Sequence, residues 1–153
     1  MTGIGSAIAA ILGFPLARYV AYPATSTPTV TWARVGPVDD LKAGEMKLVE
    51  VDPVYAAPLA LEKGKRSAYV VRRADGSFDC FYMHCTHAGC PVRWSSGPQR
   101  FFSPCHGGVF DQEGRVLAGP PPRPLDRYEY KVESGVLYLG AVYQINERLE
   151  RIG

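Results

Sequence analysis

The sequence predicts an all-β fold, an antiparallel sandwich or small barrel, preceded by one apolar N-terminal helix. After Thr29 the apolar runs are short, and they end at Gly, Pro or Asp turns. The chain of 153 residues carries 16 glycines and 13 prolines, which supply frequent turns. No segment after Thr29 is long and periodic enough to indicate a helix. Many short strands with regular turns are typical of sandwiches and barrels.

Two hairpin turns are predicted between consecutive strands, at Asp75-Gly76 and at Ser134-Gly135. A single helical turn is expected over residues 39–43, where two aspartates precede Leu-Lys-Ala. The six predicted strands are Thr29–Val35, Met46–Val51, Ser67–Arg73, Phe78–Met83, Tyr128–Val132 and Val136–Leu139.

Composition excludes several classes of protein. Hydrophobic residues make up 46% of the chain and charged residues 21%, which indicates a folded domain instead of a disordered one. The 17 basic and 15 acidic residues give a net charge of +2, and there is no long basic run. We therefore expect no nucleic-acid partner.

Residues 1–22 form an apolar segment that predicts a transmembrane anchor. The run Ile4–Ala17 is wholly apolar or small, and Arg18 is its only nearby charge. Counting on to Tyr22 reaches the roughly 20 residues that a spanning helix needs. The apolar centre of a signal peptide and a buried amphipathic helix are the alternatives. The absence of basic residues before the run favours a truncated or processed start.

Residues 23–30 read as a flexible hinge linker, because Pro23 and Pro28 enclose small hydroxylated residues that resist helix and sheet. A main domain over 31–143 and a C-terminal tail over 144–153 complete the expected organisation.

Cysteine and histidine are concentrated in two short segments, Cys85–Pro91 and Ser103–Gly108. Two of the three histidines, His87 and His106, lie inside these segments. Thiolate and imidazole donors together suit zinc, copper or iron–sulfur centres. Two loops at hairpin tips could hold such a centre between them. His84 is expected at the surface, since neighbouring side chains in a strand point to opposite faces.

The two segments, Cys-x-His-x-Gly-Cys and Pro-Cys-His-Gly after an intervening stretch, resemble those of the Rieske iron–sulfur proteins. The likeness covers Trp32 to Tyr143 and is strongest to the Rieske subunit of bacterial menaquinol:cytochrome c reductases. Phe101-Phe102, the proline segment Gly119–Asp126 and the closing stretch Tyr128–Gly140 support it. The resemblance implies a Rieske-type antiparallel β-sandwich with a cluster-binding subdomain.

The resemblance also implies roles for individual residues. Rieske centres hold a two-iron, two-sulfide cluster, with two histidines in place of two cysteines on one iron. By position, Cys85 is a thiolate ligand, and His87 and His106 are the imidazole ligands. Cys90 and Cys105 match the disulfide pair of cytochrome bc-type members, which requires an oxidising compartment.

Ser103 departs from the family pattern, because it stands where the second thiolate ligand belongs. A serine alkoxide is a harder and more basic ligand than a thiolate. Four interpretations stay open. Ser103 is an introduced substitution, or it ligates the cluster, or another thiol (Cys105 or Cys80) replaces it, or the domain has lost its cluster. Cys80 is otherwise expected as a buried free thiol.

Two further residues around the expected cluster also differ from the family pattern. High-potential members carry a Ser and a Tyr that donate hydrogen bonds to cluster sulfurs, whereas Gly108 and Phe110 stand at these positions here. With fewer donors, the reduction potential should fall, which favours menaquinol over ubiquinol. The proline segment around Pro121 is expected to pack over the cluster.

The resemblance implies a membrane-anchored electron-transfer subunit of a quinol:cytochrome c reductase, with its head on the outer side of the membrane. Its expected partners are a b-type cytochrome, a c-type acceptor, and quinol bound at His87 or His106. Two alternatives remain. One is a structural subunit with a degenerate Rieske fold and no cluster. The other is the small subunit of a molybdenum oxidase such as arsenite oxidase.

Overall fold

The computed structural model describes residues 2–25, 29–52, 55–56 and 65–152. One helix, α1 (Thr2–Thr25), precedes the strands, and a single 3-10 turn spans Val38–Asp40. The strands are β1 (Thr29–Val30), β2 (Ala33–Pro37), β3 (Met46–Val51), β4 (Tyr55–Ala56), β5 (Arg66–Arg72), β6 (Phe78–Tyr82), β7 (Arg93–Ser95), β8 (Arg100–Ser103), β9 (Gly108–Phe110), β10 (Val116–Ala118), β11 (Arg127–Glu133) and β12 (Val136–Tyr143).

Two antiparallel sheets make up most of the domain. Six strands pair in the order β2-β12-β11-β6-β5-β3, and four pair in the order β10-β9-β8-β7. Strands β1 and β4 form a small two-stranded ladder. The predicted antiparallel all-β fold is therefore confirmed, as are the hairpin turns at Asp75-Gly76 and Ser134-Gly135. At both turns the backbone adopts positive φ, with 86° at Gly76 and 74° at Gly135.

The four-stranded sheet was not predicted, because its strands are only three or four residues long. Such short segments carry too few residues for an alternating pattern to be recognised. The predicted strand Thr29–Val35 is divided, since Thr31 and Trp32 separate β1 from β2. The expected helical turn over 39–43 lies at Val38–Asp40, where the Leu41 N–H donates to the Val38 carbonyl.

The N-terminal segment is helical, as predicted, and α1 continues through Thr25 into the expected linker. Residues 26–28 of that linker lie outside the described residues. In the described ranges, no helix combines the length and the hydropathy needed to cross a membrane. The predicted helix is confirmed, but the predicted span is not. Gly, Ser, Thr and Tyr residues between the aliphatic ones lower the mean hydropathy of α1.

The buried side chains form two core groups. The first lies against the six-stranded sheet and includes Cys80, Tyr128 and Leu139. The second joins the two sheets and contains Tyr69, Phe81, Cys85, Val92, Phe101, Phe110 and Leu125. Phe101 is fully buried at the centre of the second group, with ring centroids 4.9 Å from Phe81 and 4.8 Å from Trp94. This aromatic packing fixes the four-stranded sheet on the larger one.

Polar contacts also connect the two sheets. The backbone N–H of Trp94 in β7 donates to the Tyr69 hydroxyl of β5 at 3.0 Å. Arg127 of β11 pairs with the buried carboxylate of Asp79 and donates from Nη2 to the Glu113 carbonyl at 3.0 Å. Because Glu113 lies in the turn between β9 and β10, this guanidinium connects the turn to the core of the larger sheet.

Phe101→Ala should destabilise the domain by about 3–5 kcal/mol, because it leaves a cavity where the two sheets meet. Its matched control is the next residue, Phe102, whose side chain faces outward and is 45% exposed. Phe102→Ala should change the free energy of unfolding by about 0.5 kcal/mol or less. Urea unfolding followed by circular dichroism measures both. Equal losses for the two variants would contradict the proposed role of Phe101.

Candidate metal centre

The first of the two loops, Cys85–Pro91, is a tight turn on two short antiparallel arms. Two backbone interactions hold the ends of the loop together. The Cys85 N–H donates to the Cys90 carbonyl at 2.8 Å, and His84 and Pro91 form an antiparallel β-bridge. Within the loop the Gly89 N–H donates to the Cys85 carbonyl, and Gly89 has a φ of 73° that favours glycine. The turn thereby brings Cys85 and Cys90 back together.

The second loop is the tip of the β8–β9 hairpin. Ser103 ends β8 and pairs with Gly108, the first residue of β9. The four residues 104–107 form the tip, and Gly107 takes a φ of 69°. This geometry places Ser103 and Gly108 on the inner side of the sheet, and His106 at the exposed tip.

A disulfide between Cys90 and Cys105 joins the two loops, with their Cα atoms 6.3 Å apart. This confirms the pairing that the resemblance implied. All four cysteines are described, and the two free ones, Cys80 and Cys85, are both buried. Desolvation by burial, and next the charge of Asp79, raise the pKa of the Cys80 thiol. Cys80 therefore stays protonated, packed in the first core group.

Two of the potential metal donors are buried, and the other two are exposed at the surface. Cys85 is 6% exposed and Ser103 is 1% exposed, so the sulfur and hydroxyl donors lie beneath the surface. His87 and His106 are exposed, and their rings face each other edge to face with centroids 4.7 Å apart. The two loops therefore present a pair of imidazoles to solvent and a thiol and a hydroxyl to the interior.

The proline segment covers the buried side of this arrangement. A Cβ atom added at Gly108 would lie 2.9 Å from Cγ of Pro121 and 3.4 Å from Sγ of Cys85. A side chain at position 108 would therefore require Pro121 to shift. Gly119 approaches the second loop equally closely, since a Cβ there would lie 2.7 Å from the Gly107 carbonyl oxygen.

A polar contact that the sequence analysis missed fastens the first loop to the same segment. The Thr86 hydroxyl donates to the Arg123 carbonyl at 2.6 Å, and Arg123 forms a two-point ion pair with Asp126. The Asp126 carbonyl in turn accepts from the Tyr82 N–H at 2.9 Å. The position of Thr86 between two expected ligands was the only sequence signal for this contact. Its partner, Arg123, is 37 residues away and could not be identified from the sequence.

The comparisons with known proteins assign the family. Residues 31–129 match the family model described as "Rieske [2Fe-2S] domain". The chain belongs to the Rieske family. It is 35% identical to the menaquinol:cytochrome c reductase iron-sulfur subunit of Bacillus subtilis, over 92% of this chain and 86% of that one. It is 30% identical to the cytochrome b6-f complex iron-sulfur subunit of Chlorobaculum tepidum, over 87% of this chain and 66% of that one.

A solved structure supports the same Rieske fold. The plasma membrane Rieske protein PetC3 of Synechocystis PCC 6803 is 31% identical, with a TM-score of 0.51. The match covers 71% of this chain and 98% of that structure.

The family implies a two-iron, two-sulfide cluster, and the donors present here fit one. Rieske ligation places two imidazoles on one iron and two thiolates on the other. The exposed imidazole pair and the buried pair of Cys85 and Ser103 have that division, with a hydroxyl in place of one thiolate. Among the described residues, no three His, Cys, Asp or Glu side chains are grouped closely enough for a single ion.

The structure bears on one of the earlier interpretations of Ser103, replacement by another thiol. Cys105 is committed to the disulfide and Cys80 lies in the other core group, so neither thiol is placed to replace Ser103. The buried hydroxyl of Ser103 is the donor that the second loop offers at this position.

Gly108→Ala should expose Cys85 in iron-free protein, because the added methyl group forces Pro121 outward. The rate at which iodoacetamide alkylates Cys85 should rise, while the raised pKa and burial of Cys80 keep that thiol unreactive. Gly97→Ala is the matched control, since a Cβ at Gly97 meets nothing within 4 Å. An unchanged alkylation rate in Gly108→Ala would show that Pro121 does not cover Cys85.

Proposed function

We propose that this chain is the Rieske electron-transfer subunit of a quinol-oxidising cytochrome bc-type complex. The observation that carries the proposal is the exposed imidazole pair, His87 and His106, above the buried Cys85 and Ser103. The relatives named as iron-sulfur subunits of menaquinol:cytochrome c reductase and cytochrome b6-f complexes support the same role.

In this proposal Cys85 and Ser103 would hold one iron of the cluster, and His87 and His106 would hold the other. A bound cluster would carry one electron, and its imidazole ligands would raise its reduction potential. The proline segment excludes water from the buried side, since Pro121 packs against Gly108 beside Cys85. The disulfide joins the two loops, and the contact of Thr86 with Arg123 fastens the first loop to the proline segment.

The exposed histidines are the proposed quinol contact. The ring nitrogen that faces solvent on His87 or His106 accepts a hydrogen bond from the quinol hydroxyl and takes its proton. Menaquinol is the proposed substrate, because Gly108 and Phe110 offer no side-chain donor to stabilise the reduced centre, and fewer donors lower the potential.

Attachment to a membrane-bound complex is proposed through α1. The described side chains of α1, residues 10–21, are all exposed, and they include Ile11, Leu12, Phe14 and Leu16. Apolar side chains on all sides of a helix require an apolar environment, either lipid or the helices of a partner subunit. Because disulfides persist in oxidising compartments, the Cys90–Cys105 disulfide supports a location of the domain on the outer side of the membrane.

Residues 23–30 are proposed to act as a hinge between α1 and the domain. Movement at such a segment would carry the histidine pair from the quinol site to a c-type cytochrome. Two alternatives remain, a structural subunit without a cluster and the small subunit of a molybdenum oxidase; Ser103 is the residue that favours the first.

Ser103→Cys should raise the reduction potential and bring it within the Rieske range of about −150 to +300 mV. A thiolate is softer than an alkoxide and stabilises the oxidised iron less. Iron content should also rise. Redox titration followed by EPR measures the potential, and Ser95→Cys, at an exposed residue of β7, is the control. The same potential and iron content in Ser103→Cys as in the unmodified chain would contradict ligation at position 103.

Purification of the full chain from its native membranes tests the proposed complex. A b-type haem, non-haem iron and quinol:cytochrome c reductase activity should copurify. Molybdenum without haem b would support the oxidase alternative. Haem b without cluster iron would support the structural alternative.

A further inference from the structure

We propose that a cleft between the two sheets binds an uncharged planar heteroaromatic molecule that carries both hydrogen-bond donors and acceptors. The cleft has a volume of about 620 Å³. Pockets that bind small molecules have volumes of roughly 300–1,000 Å³ and combine apolar walls with a few polar groups. This space is called the inter-sheet cleft below, and its lining includes Met46, Val71, Trp94, Gln99, Gln112 and Glu113.

The inter-sheet cleft lies at the end of the four-stranded sheet opposite the second cysteine and histidine loop. Strand β8 runs from Arg100 to Ser103, and its hairpin with β9 carries that loop at the Ser103 end. Gln99 immediately precedes β8, and Gln112 and Glu113 lie in the turn after β9. A molecule bound in the cleft therefore leaves the histidine pair exposed. The site is separate from the proposed quinol contact, and its occupancy does not require the cluster.

Each sheet contributes an apolar wall to the cleft. Met46 of β3 and Val71 of β5 are paired directly, so their side chains lie next to each other on one face of the six-stranded sheet. Trp94 of β7 lines the cleft from the four-stranded sheet, and its ring packs edge to face on Phe101. The side chains of Met46, Val71 and Trp94 are only partly buried. An aromatic ring between the walls would contact the indole and the methionine sulfur, which both interact favourably with aromatic rings.

The charges around the cleft balance one another. The buried carboxylate of Asp79 belongs to the lining, and it pairs with both Arg73 and Arg127. In the lining and directly behind it, arginines and carboxylates are equal in number: Arg72, Arg73 and Arg127 against Asp75, Asp79 and Glu113. A charged ligand would gain no net attraction to offset the cost of its desolvation. The cleft therefore favours an uncharged ligand.

Two amide side chains supply polar contacts at the edge of the cleft. The chain has three glutamines, and two of them, Gln99 and Gln112, line this cleft. Both are exposed, and neither amide forms a hydrogen bond within the described part of the chain. A primary amide offers two donors and one acceptor oxygen. It is complemented by a ligand edge that also combines a donor and an acceptor, such as a carboxamide.

The experiment uses nicotinamide as the probe, because it is an uncharged planar heteroaromatic ring with a carboxamide. The oxidised full chain is labelled with fluorotryptophan, and the ¹⁹F resonances of its two tryptophans are followed during the titration. Trp32→Phe assigns them. The Trp94 resonance should shift and saturate, whereas the resonance of Trp32, which is not part of the cleft lining, should stay constant.

The ligand's charge is tested with two relatives of the same ring. Nicotinate carries a negative charge, and the N-methylpyridinium derivative of nicotinamide carries a positive one. Both should bind at least about fivefold more weakly than nicotinamide, because each brings an ion to a cleft with balanced charges. Equal or tighter binding of either ion would overturn the assignment of an uncharged ligand.

The double variant Gln99→Asn/Gln112→Ala tests the polar edge. Asparagine accepts the positive φ of 51° at position 99, so the β7–β8 turn is preserved. The dissociation constant for nicotinamide should rise about fivefold or more, because the contacts of both amides are lost or lengthened. The matched control is Gln144→Ala, at an exposed glutamine outside the cleft, and it should stay within about twofold of the unmodified chain.

Three results would overturn the proposed site. One is a Trp94 resonance that does not shift up to about 10 mM nicotinamide, since this concentration fills about 90% of a site of millimolar affinity. Another is an equal shift at Trp32, which would place the binding elsewhere. The third is an unchanged dissociation constant in the double variant. Thermal unfolding of each variant at the unmodified temperature verifies that a loss of binding reflects the cleft and not the fold.

Discussion

The close approach at Gly108 is the constraint on which the candidate centre depends. The second loop, the proline segment and Cys85 meet there, since a Cβ at position 108 would lie 2.9 Å from Cγ of Pro121 and 3.4 Å from Sγ of Cys85. The interactions that maintain this contact involve residues elsewhere in the chain. The Cys90–Cys105 disulfide joins the loops, Thr86 fastens the first loop to Arg123, and Phe101 fixes the four-stranded sheet on the larger one. The loops are therefore positioned by covalent and packing interactions within the chain.

The same arrangement divides the centre into a protected side and an accessible side. Cys85 and Ser103 are buried, whereas His87 and His106 are exposed at the loop tips. Burial favours the stability of an iron–sulfur centre, and exposure leaves the imidazoles accessible from solvent. The position of Ser103 does not disturb this division, since its hydroxyl occupies the buried side. Its effect should be on the electronic properties of the centre instead of on the fold.

The sequence predicted the features that have strong local signals. Strands β3 and β6 were found within one residue of their observed ends, because both are apolar runs ended by turn residues. The two cysteine and histidine loops were recognised because those residues are rare in the chain. Strands β7 to β10 were missed, since three or four residues give no readable period, and the contact between Thr86 and Arg123 was missed because it spans distant segments. The membrane span predicted for residues 1–22 was not confirmed, although the helix itself was.

The central claim is that two histidines, one cysteine and one serine hold a pair of iron atoms. Pulsed EPR of the reduced full chain, prepared with ¹⁵N-labelled histidine, tests it most directly. Our account predicts one spin centre per pair of irons and hyperfine coupling to two histidine nitrogens, both lost when His87 and His106 are replaced together. A spectrum without a coupled iron pair, or a coupled pair without histidine nitrogen, would contradict it.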